Sequence, residues 1–403
     1  MHATRLRASF PTLLVLAALA GCAAPAPRAT ATPAAAPGLA DAMRPVVQRV
    51  VDSLQAGAKY PGVTVGVAFR DGSSLGAAAG LADTARREPM TPAHLMLQGS
   101  VGKTYVAAVA LQLVGEGRLE LDAPVSRYLG DLPWFGRLPN AAGMTVRMLM
   151  NHTSGLQRYE FSDAFTRDLT AQPQRVWRPE ELLAYLHGAA PPFAPGAGWD
   201  YSDTNYIVLG MIIERITGSR YYDEARRRLL VPLGLDATTP SDRALIPGLA
   251  QGYAGPGNPF GGADAMLGAG GRMSINPQFE WTGGGMASTA RDLARWAHAL
   301  YGGRVLAPEL MREMLAGVPA PLGPQGTTYG LGVIVRPLPL GTAHGHSGFF
   351  PGWVTEVMYF PDRQLAVAVQ VNTSHGPALD PPPTRVLGAV VRALDAAGAA
   401  PPP

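Results

Sequence analysis

Lysine is almost missing from this 403-residue chain. Of its 33 basic residues 31 are arginine, and the two lysines are Lys59 and Lys103. Cysteine occurs once, as Cys22, so no internal disulfide can form. Charged residues make up only 16% and the formal net charge is +3. With no basic face or run, no nucleic-acid partner is expected. Histidines and acids are scattered without a metal-ligand spacing such as H-E-x-x-H, so no metal and no cofactor is expected either. No internal repeat is visible. What the chain does have is apolar content, 47%, together with 48 glycines and 38 prolines. That is enough to bury a large core under many loops, and too apolar for disorder.

The first residues read as a processing signal. Arg5 and Arg7 precede an apolar run, Thr12 to Ala20, too short to serve as a permanent span. The following "LAGC", Leu19 to Cys22, resembles the lipobox of bacterial lipoprotein signal peptides. That resemblance implies removal of residues 1–21 and lipidation of Cys22. The protein would then be lipid-anchored in a bacterial cell envelope, its domain outside the cytoplasm and its membrane contact made through the lipid. Ordinary secretory cleavage in the alanine-rich stretch beyond is the alternative. Residues 22–38 are a Pro/Ala-rich linker that cannot bury enough surface to fold.

Residues 39–397 outline one domain, with a short tail at 398–403. Residues 39–57 carry apolar positions at helical spacing, with Pro45 near the start. Residues 61–83 read as two strands, joined at an Asp71-Gly72 hairpin signal. The block from Ser100 to about Arg295 reads as helix and loop. In it, 205–218 is a helix ended by Gly218, and 252–272 is a glycine-rich loop of the kind that rims functional sites. Strand patterns return at 328–337, 352–360 and 364–372, and a helix closes the chain at 383–398. The expected fold class is α+β. An antiparallel sheet of about five strands, built from both chain ends and flanked by helices, forms an α/β lobe (about 39–99 and 290–397). A mainly helical lobe (about 100–289) is inserted into it. A small-molecule site is expected in the cleft between them.

The retained lysine lies three residues after a serine, in "QGSVGKTYVAAVALQLV". If a helix starts at Ser100, Lys103 sits one turn up on the same face, amine beside hydroxyl. Serine is a poor nucleophile until a base takes its proton. Lysine can do so only where burial or a nearby cation destabilises its ammonium. Arginine cannot, because its guanidinium stays protonated. A lysine kept at this one place fits that chemistry. The run that follows is apolar nearly all round, as in a buried helix. The helix start would also favour an oxyanion. S-x-x-K by itself recurs by chance. A P-loop would need glycine where Leu97 stands, and Gln98 rules out a G-x-S-x-G elbow.

Five blocks, in order, resemble the serine β-lactamase-like superfamily, with closest likeness to class C β-lactamases, penicillin-binding DD-peptidases and related esterases. They are "GSVGKTYVAA" (99–108), "LMNHTSGL" (149–156), "YSD" (201–203) where the family has Tyr-x-Asn, "GGGMASTARDLARW" (283–296), and "GHSGFFPGW" (345–353), in which His346-Ser347-Gly348 stands for Lys-Thr-Gly. The resemblance spans roughly residues 40–395 and implies a β-lactamase/transpeptidase-like fold. It implies that Ser100 is acylated, that Lys103 and Tyr201 share base and acid work, and that His346 orients the tyrosine or the substrate. Asp203, Ser347, Gly348 and Phe349 would meet the substrate, with backbone N–H groups of Ser100 and Phe349 as the oxyanion hole. His152 reads as structural. Two departures steer the expectation. Asp203 cannot donate as Asn does, and pairing with Lys103 would raise that lysine's pKa. His346 removes a permanent cation. The expected activity is therefore that of an esterase or D-amino-acid-type peptidase on a small-molecule or peptide substrate. The alternatives are β-lactamase activity proper, or a non-catalytic lipoprotein that binds cell-wall peptides.

Overall fold

The computed structural model describes residues 38–399, apart from 257, 259, 261 and 262. The expected signal sequence, Cys22, the expected linker up to residue 37 and tail residues 400–403 lie outside the described residues, as do four positions of the 252–272 loop.

The centre of the fold is an antiparallel sheet. In chain order the strands are β1 (Gly62–Ala68), β2 (Ser74–Asp83), β3 (Glu88–Pro89), β4 (Met96–Leu97), β5 (Thr238–Pro240) and β6 (Met286–Ser288). They continue with β7 (Val318–Pro319), β8 (Thr328–Tyr329), β9 (Ile334–Leu338), β10 (Gly341–Phe350), β11 (Trp353–Phe360) and β12 (Leu365–Val371). Nine of them pair in the order β3-β2-β1-β12-β11-β10-β9-β8-β7, and β4-β6-β5 form a small second sheet. The two ends of the chain meet at the middle, where β1 pairs with β12 in the register Val65↔Val369. Both strands are buried at every residue, as strands covered on two faces must be.

Nine strands, not about five, is a correction with a physical cause. β3, β7 and β8 have two residues each, too few to show an alternating pattern. The segment 328–337 breaks at Gly332 (φ 78°) into β8 and β9. β10 hides its period behind Gly341, Gly345 and Gly348.

Five helices have ten or more residues among those described: α1 (Leu39–Ala56), α2 (Lys103–Gly115), α3 (Asp203–Thr217), α4 (Ala290–Ala299) and α5 (Pro383–Ala396). α1 and α5 cover one sheet face. Val47, Val51, Val390 and Leu394 pack there on Val63, Val65, Val367 and Val369. α4 covers the other face, against β1 and β12. α2 is buried on all sides inside the larger core, with Tyr105 stacked on Trp296 of α4 at 4.2 Å. α3 packs on α2 and ends where Gly218 turns left-handed (φ 71°). α2 and β10 thus lie on either side of one cavity.

Candidate active site

Ser100 lies in a single 3₁₀ turn, Gly99–Gly102, between β4 and α2. The helix proper begins at Lys103, not at Ser100. In a 3₁₀ turn residues three apart eclipse, which brings serine and lysine together more directly than an α-turn does. The turn is wedged between two other backbones. A Cβ at Gly99 (φ 52°) would sit 2.4 Å from the Phe349 carbonyl oxygen, and one at Gly102 would sit 2.3 Å from the Gly284 oxygen. Only glycine admits that approach. β10 comes equally close on its own side, since a Cβ at Gly348 would meet the Gln98 oxygen at 1.8 Å. The "GSVGK", "GGG" and "HSG" motifs are therefore three backbones in contact.

The Lys103 side chain is fully buried. Its ammonium donates to Ser100 Oγ at 2.9 Å, to the Asp203 carboxylate and to the Gly283 carbonyl. An ammonium has three protons, and all three are used. Burial pulls this lysine's pKa down, but Asp203, with Tyr201 adding to it, overcomes that, and the net shift is upward. At rest Lys103 is a cation, not the uncharged amine that the serine–lysine spacing favoured. The cause is the carboxylate that replaces the family's asparagine.

Asp203 stands at the first turn of α3 and is gripped from both sides. Its second oxygen accepts from Arg158 Nη2 at 2.8 Å, and Arg158 Nε donates to Glu160 at 2.6 Å. Burial pushes Asp203 up, yet Lys103 and Arg158 hold it well below the usual carboxylate range. Glu160 goes the other way. Burial and the neighbouring Asp203 charge push its carboxyl well above its ordinary value, against the pull of Arg158. Glu280 is likewise pushed up by burial, to about 8.

Tyr201 reaches the same spot. Lys103 lies 4.9 Å from its ring centroid. Its hydroxyl is buried without a fully formed hydrogen bond, but Ser100 and Lys103 are near enough for both to draw its pKa down. Burial outweighs them, and the resting phenol is neutral. His152 packs beneath the tyrosine with ring centroids 4.3 Å apart, its Nδ1 bonded to Ser202 and Asn205. It supports the ring, as the turn-like motif suggested.

On the opposite wall, His346 Nδ1 donates to the Ser347 carbonyl at 2.6 Å, leaving Nε2 to accept from Tyr329 at 2.9 Å. Burial, helped by Lys103, lowers its pKa to about 3, so it carries no charge near neutrality. It is fixed by Tyr329, and no hydrogen bond joins it to Tyr201. Ser347 Oγ is held by Arg336 at 2.8 Å and donates to Glu356 at 2.6 Å. Phe349, 44% exposed, stands at the mouth. Ser100, Tyr201, Asp203, His346, Ser347, Gly348 and Phe349 all line one cavity of about 620 Å³, and Lys103 lies behind Ser100. Its remaining walls are largely apolar, with Phe279, Phe350 and Val354 among them. Among the described residues no group of three His, Cys, Asp or Glu is placed to hold a metal ion.

The beta-lactamase family model matches residues 47–391. The chain belongs to the beta-lactamase family. Within it, esterase EstB of Burkholderia gladioli is 30% identical, over 74% of this chain and 81% of its own. The D-aminopeptidase of Brucella ovis is 28% identical, over 81% of this chain and 59% of its own. The crystal structure of D-amino acid amidase from Ochrobactrum anthropi SV3 superposes with a TM-score of 0.74 at 26% identity, covering 89% of this chain and 99% of that one. Two further curated relatives are spanned over only 54% and 64% of their length.

Sequence reasoning missed Arg158, Glu160, Glu280, Tyr329, Arg336 and Glu356. Glu356 did leave a signal, a lone carboxylate inside the apolar strand 353–360. Arg158 and Glu160 directly follow the "HTSGL" block. Glu280 follows no recognisable pattern.

Proposed function

We propose that this beta-lactamase-family protein is a serine hydrolase that cleaves an ester or amide through an acyl-enzyme on Ser100, with esters or D-amino-acid amides and peptides as its substrate class. One observation carries the reading. Lys103 donates to Ser100 Oγ at 2.9 Å at the base of a cavity of about 620 Å³. Because that oxygen accepts from the ammonium, the serine's own proton must point elsewhere, and Tyr201 is the neighbour that faces it. Tyr201, as phenolate beside the Lys103 cation, takes the proton and later returns it to the leaving group. The backbones of Ser100 and Phe349, brought together at Gly99, are where the oxyanion would be held. The family relatives named above support the substrate class, and the neutral His346 argues against strong recognition of a β-lactam carboxylate.

A fluorophosphonate probe and p-nitrophenyl butyrate test this directly. The mature domain should be labelled and should turn over the ester, and Ser100→Ala should abolish both. The Lys103–Asp203 ion pair favours one second reading, a cell-wall-peptide binder with a disabled base. Folded wild-type protein inert toward ester, D-peptide and β-lactam panels would establish that reading instead. Anchoring to an envelope membrane through Cys22 is a separate proposal, checked by whether Cys22→Ser releases the protein from membranes.

A further inference from the structure

Inside the cavity one carboxyl has no task in the reaction just described. Glu280 lines the same cavity as Ser100, Tyr201 and Asp203. It makes no hydrogen bond or ion pair with any described group, and its Oε2 is buried without a partner. The groups that face it are Lys103, Asp203, Tyr159 and Tyr222. None is free to bond it. Lys103 has spent its three protons and Asp203 is held by two cations. Tyr159 donates to the Phe279 carbonyl at 2.7 Å, and Tyr222 to the Gly285 carbonyl at 3.0 Å. The next residue, Trp281, holds a strained backbone (φ 35°, ψ −117°). Such strain persists where the surroundings fix it, typically at working sites.

The charges on this wall do not balance. Lys103 and Arg158 face three carboxyls, Asp203, Glu160 and Glu280. Among the described residues the only other cation lining the cavity, Arg336, is engaged by Glu356 and Ser347. Two cations cannot serve three ionised carboxyls, so Glu280, pushed up to about 8, keeps its proton, and a cation carried by a substrate can take that proton's place.

We propose that Glu280 is a specificity-determining residue that receives a primary ammonium carried close to the scissile carbonyl, as on the α-carbon of the acyl group. The proposal rests on the hydrolase reading above and narrows its substrate to compounds with a free amine. An arriving ammonium gives the orphan carboxyl its missing partner and a reason to ionise, so binding releases a proton. An N-acylated analogue brings no charge and leaves the carboxyl unpaired.

Two measurements test it. The first compares kcat/KM for both enantiomers of phenylalanine p-nitroanilide with that for their N-acetyl forms. For at least one enantiomer the free amine should win by about tenfold or more in the wild type, the scale of one hydrogen bond to a charged group. That ratio should collapse toward one in Glu280→Gln, mainly through KM, and partly survive in Glu280→Asp. A ratio near one in the wild type, or an unchanged ratio in Glu280→Gln, overturns the proposal. The second needs no turnover. Calorimetric binding of phenylalanine amide against N-acetylphenylalanine amide is measured on Ser100→Ala protein, with and without Glu280→Gln. Equal binding of the two ligands overturns the ammonium site even if esters are hydrolysed. Preferential binding that depends on Glu280, without turnover by the wild type, upholds the site while the hydrolase reading falls.

Discussion

Two ionic clusters face the same cavity from opposite walls. On the β9–β10 wall, Arg336 meets Glu356 and Ser347, one cation to one carboxylate, with each polar atom of the serine hydroxyl engaged. On the α2–α3 wall, Lys103 and Arg158 meet Asp203, Glu160 and Glu280, two cations to three carboxyls. The first cluster is closed: burial raises the Glu356 carboxyl, and Arg336 and the Ser347 hydroxyl oppose that rise directly. The second holds two carboxyls and a phenol above their ordinary pKa values, so small changes of charge redistribute protons within it. The contrast suggests a division of labour. One wall fixes the shape of the strand that passes the substrate, and the other handles protons.

The largest effect should come from breaking the second wall at its centre. Lys103→Arg keeps the charge but replaces three tetrahedral donors with a planar, longer fork in a fully buried site. We expect kcat/KM on p-nitrophenyl butyrate to fall by about a thousandfold, the range for losing a group that acts in proton transfer. Circular dichroism should show an unchanged fold. Activity within tenfold of wild type would mean that the three-point hold on the lysine is dispensable.

Next comes the closed wall. Glu356→Gln leaves Arg336 buried with its charge uncompensated, and breaking such a pair costs roughly 3 kcal/mol or more. Urea unfolding should show that loss, while the pH profile of the remaining activity keeps its midpoint. A shifted midpoint with unchanged stability would reverse the roles assigned to the two walls.

Asp203→Asn sharpens the comparison from the other side. Asp203 raises the pKa of both Lys103 and Tyr201. Each group can accept the serine proton only after losing its own, so activity should rise with pH toward the alkaline range. Removing the carboxylate lowers both values and moves that rise to lower pH. A displacement of about one pH unit corresponds to roughly tenfold at pH 7. A profile that stays in place or moves upward contradicts the assignment.

How much of this was legible beforehand depends on distance along the chain. Ser100 and Lys103 are three residues apart, and one turn carries their relation. α3 announced itself by an apolar run with a glycine stop. β10 did not, because the glycines that let it pass so close to Gln98 and Val357 also erase the alternating pattern. The buried acids escaped for another reason. Glu160 matters through Arg158 and Asp203, and Glu280 through residues more than 50 positions away. No local spacing encodes a charge balance assembled from four segments. Even at Asp203, where the possibility of pairing with Lys103 was readable, the grip of Arg158 on its other oxygen was not.

The smallest expected effect concerns His346, which stands between the two walls. Its Nδ1 proton is committed to the Ser347 carbonyl, so Nε2 must accept, and the Tyr329 hydroxyl supplies the donor. Lys103 and Arg336 both disfavour a second proton on the ring, after burial has already done so. With a pKa of about 3 it should stay neutral throughout the working range. Its role is then to hold one tautomer, not to supply the missing cation. Tyr329→Phe removes one buried hydrogen bond, worth about 1 kcal/mol, and should lower kcat/KM no more than about tenfold. Imidazole nitrogen resonances followed between pH 5 and 8 should not titrate in the wild type. A His346 titration inside that window would return a cation to the strand and reopen recognition of a substrate carboxylate.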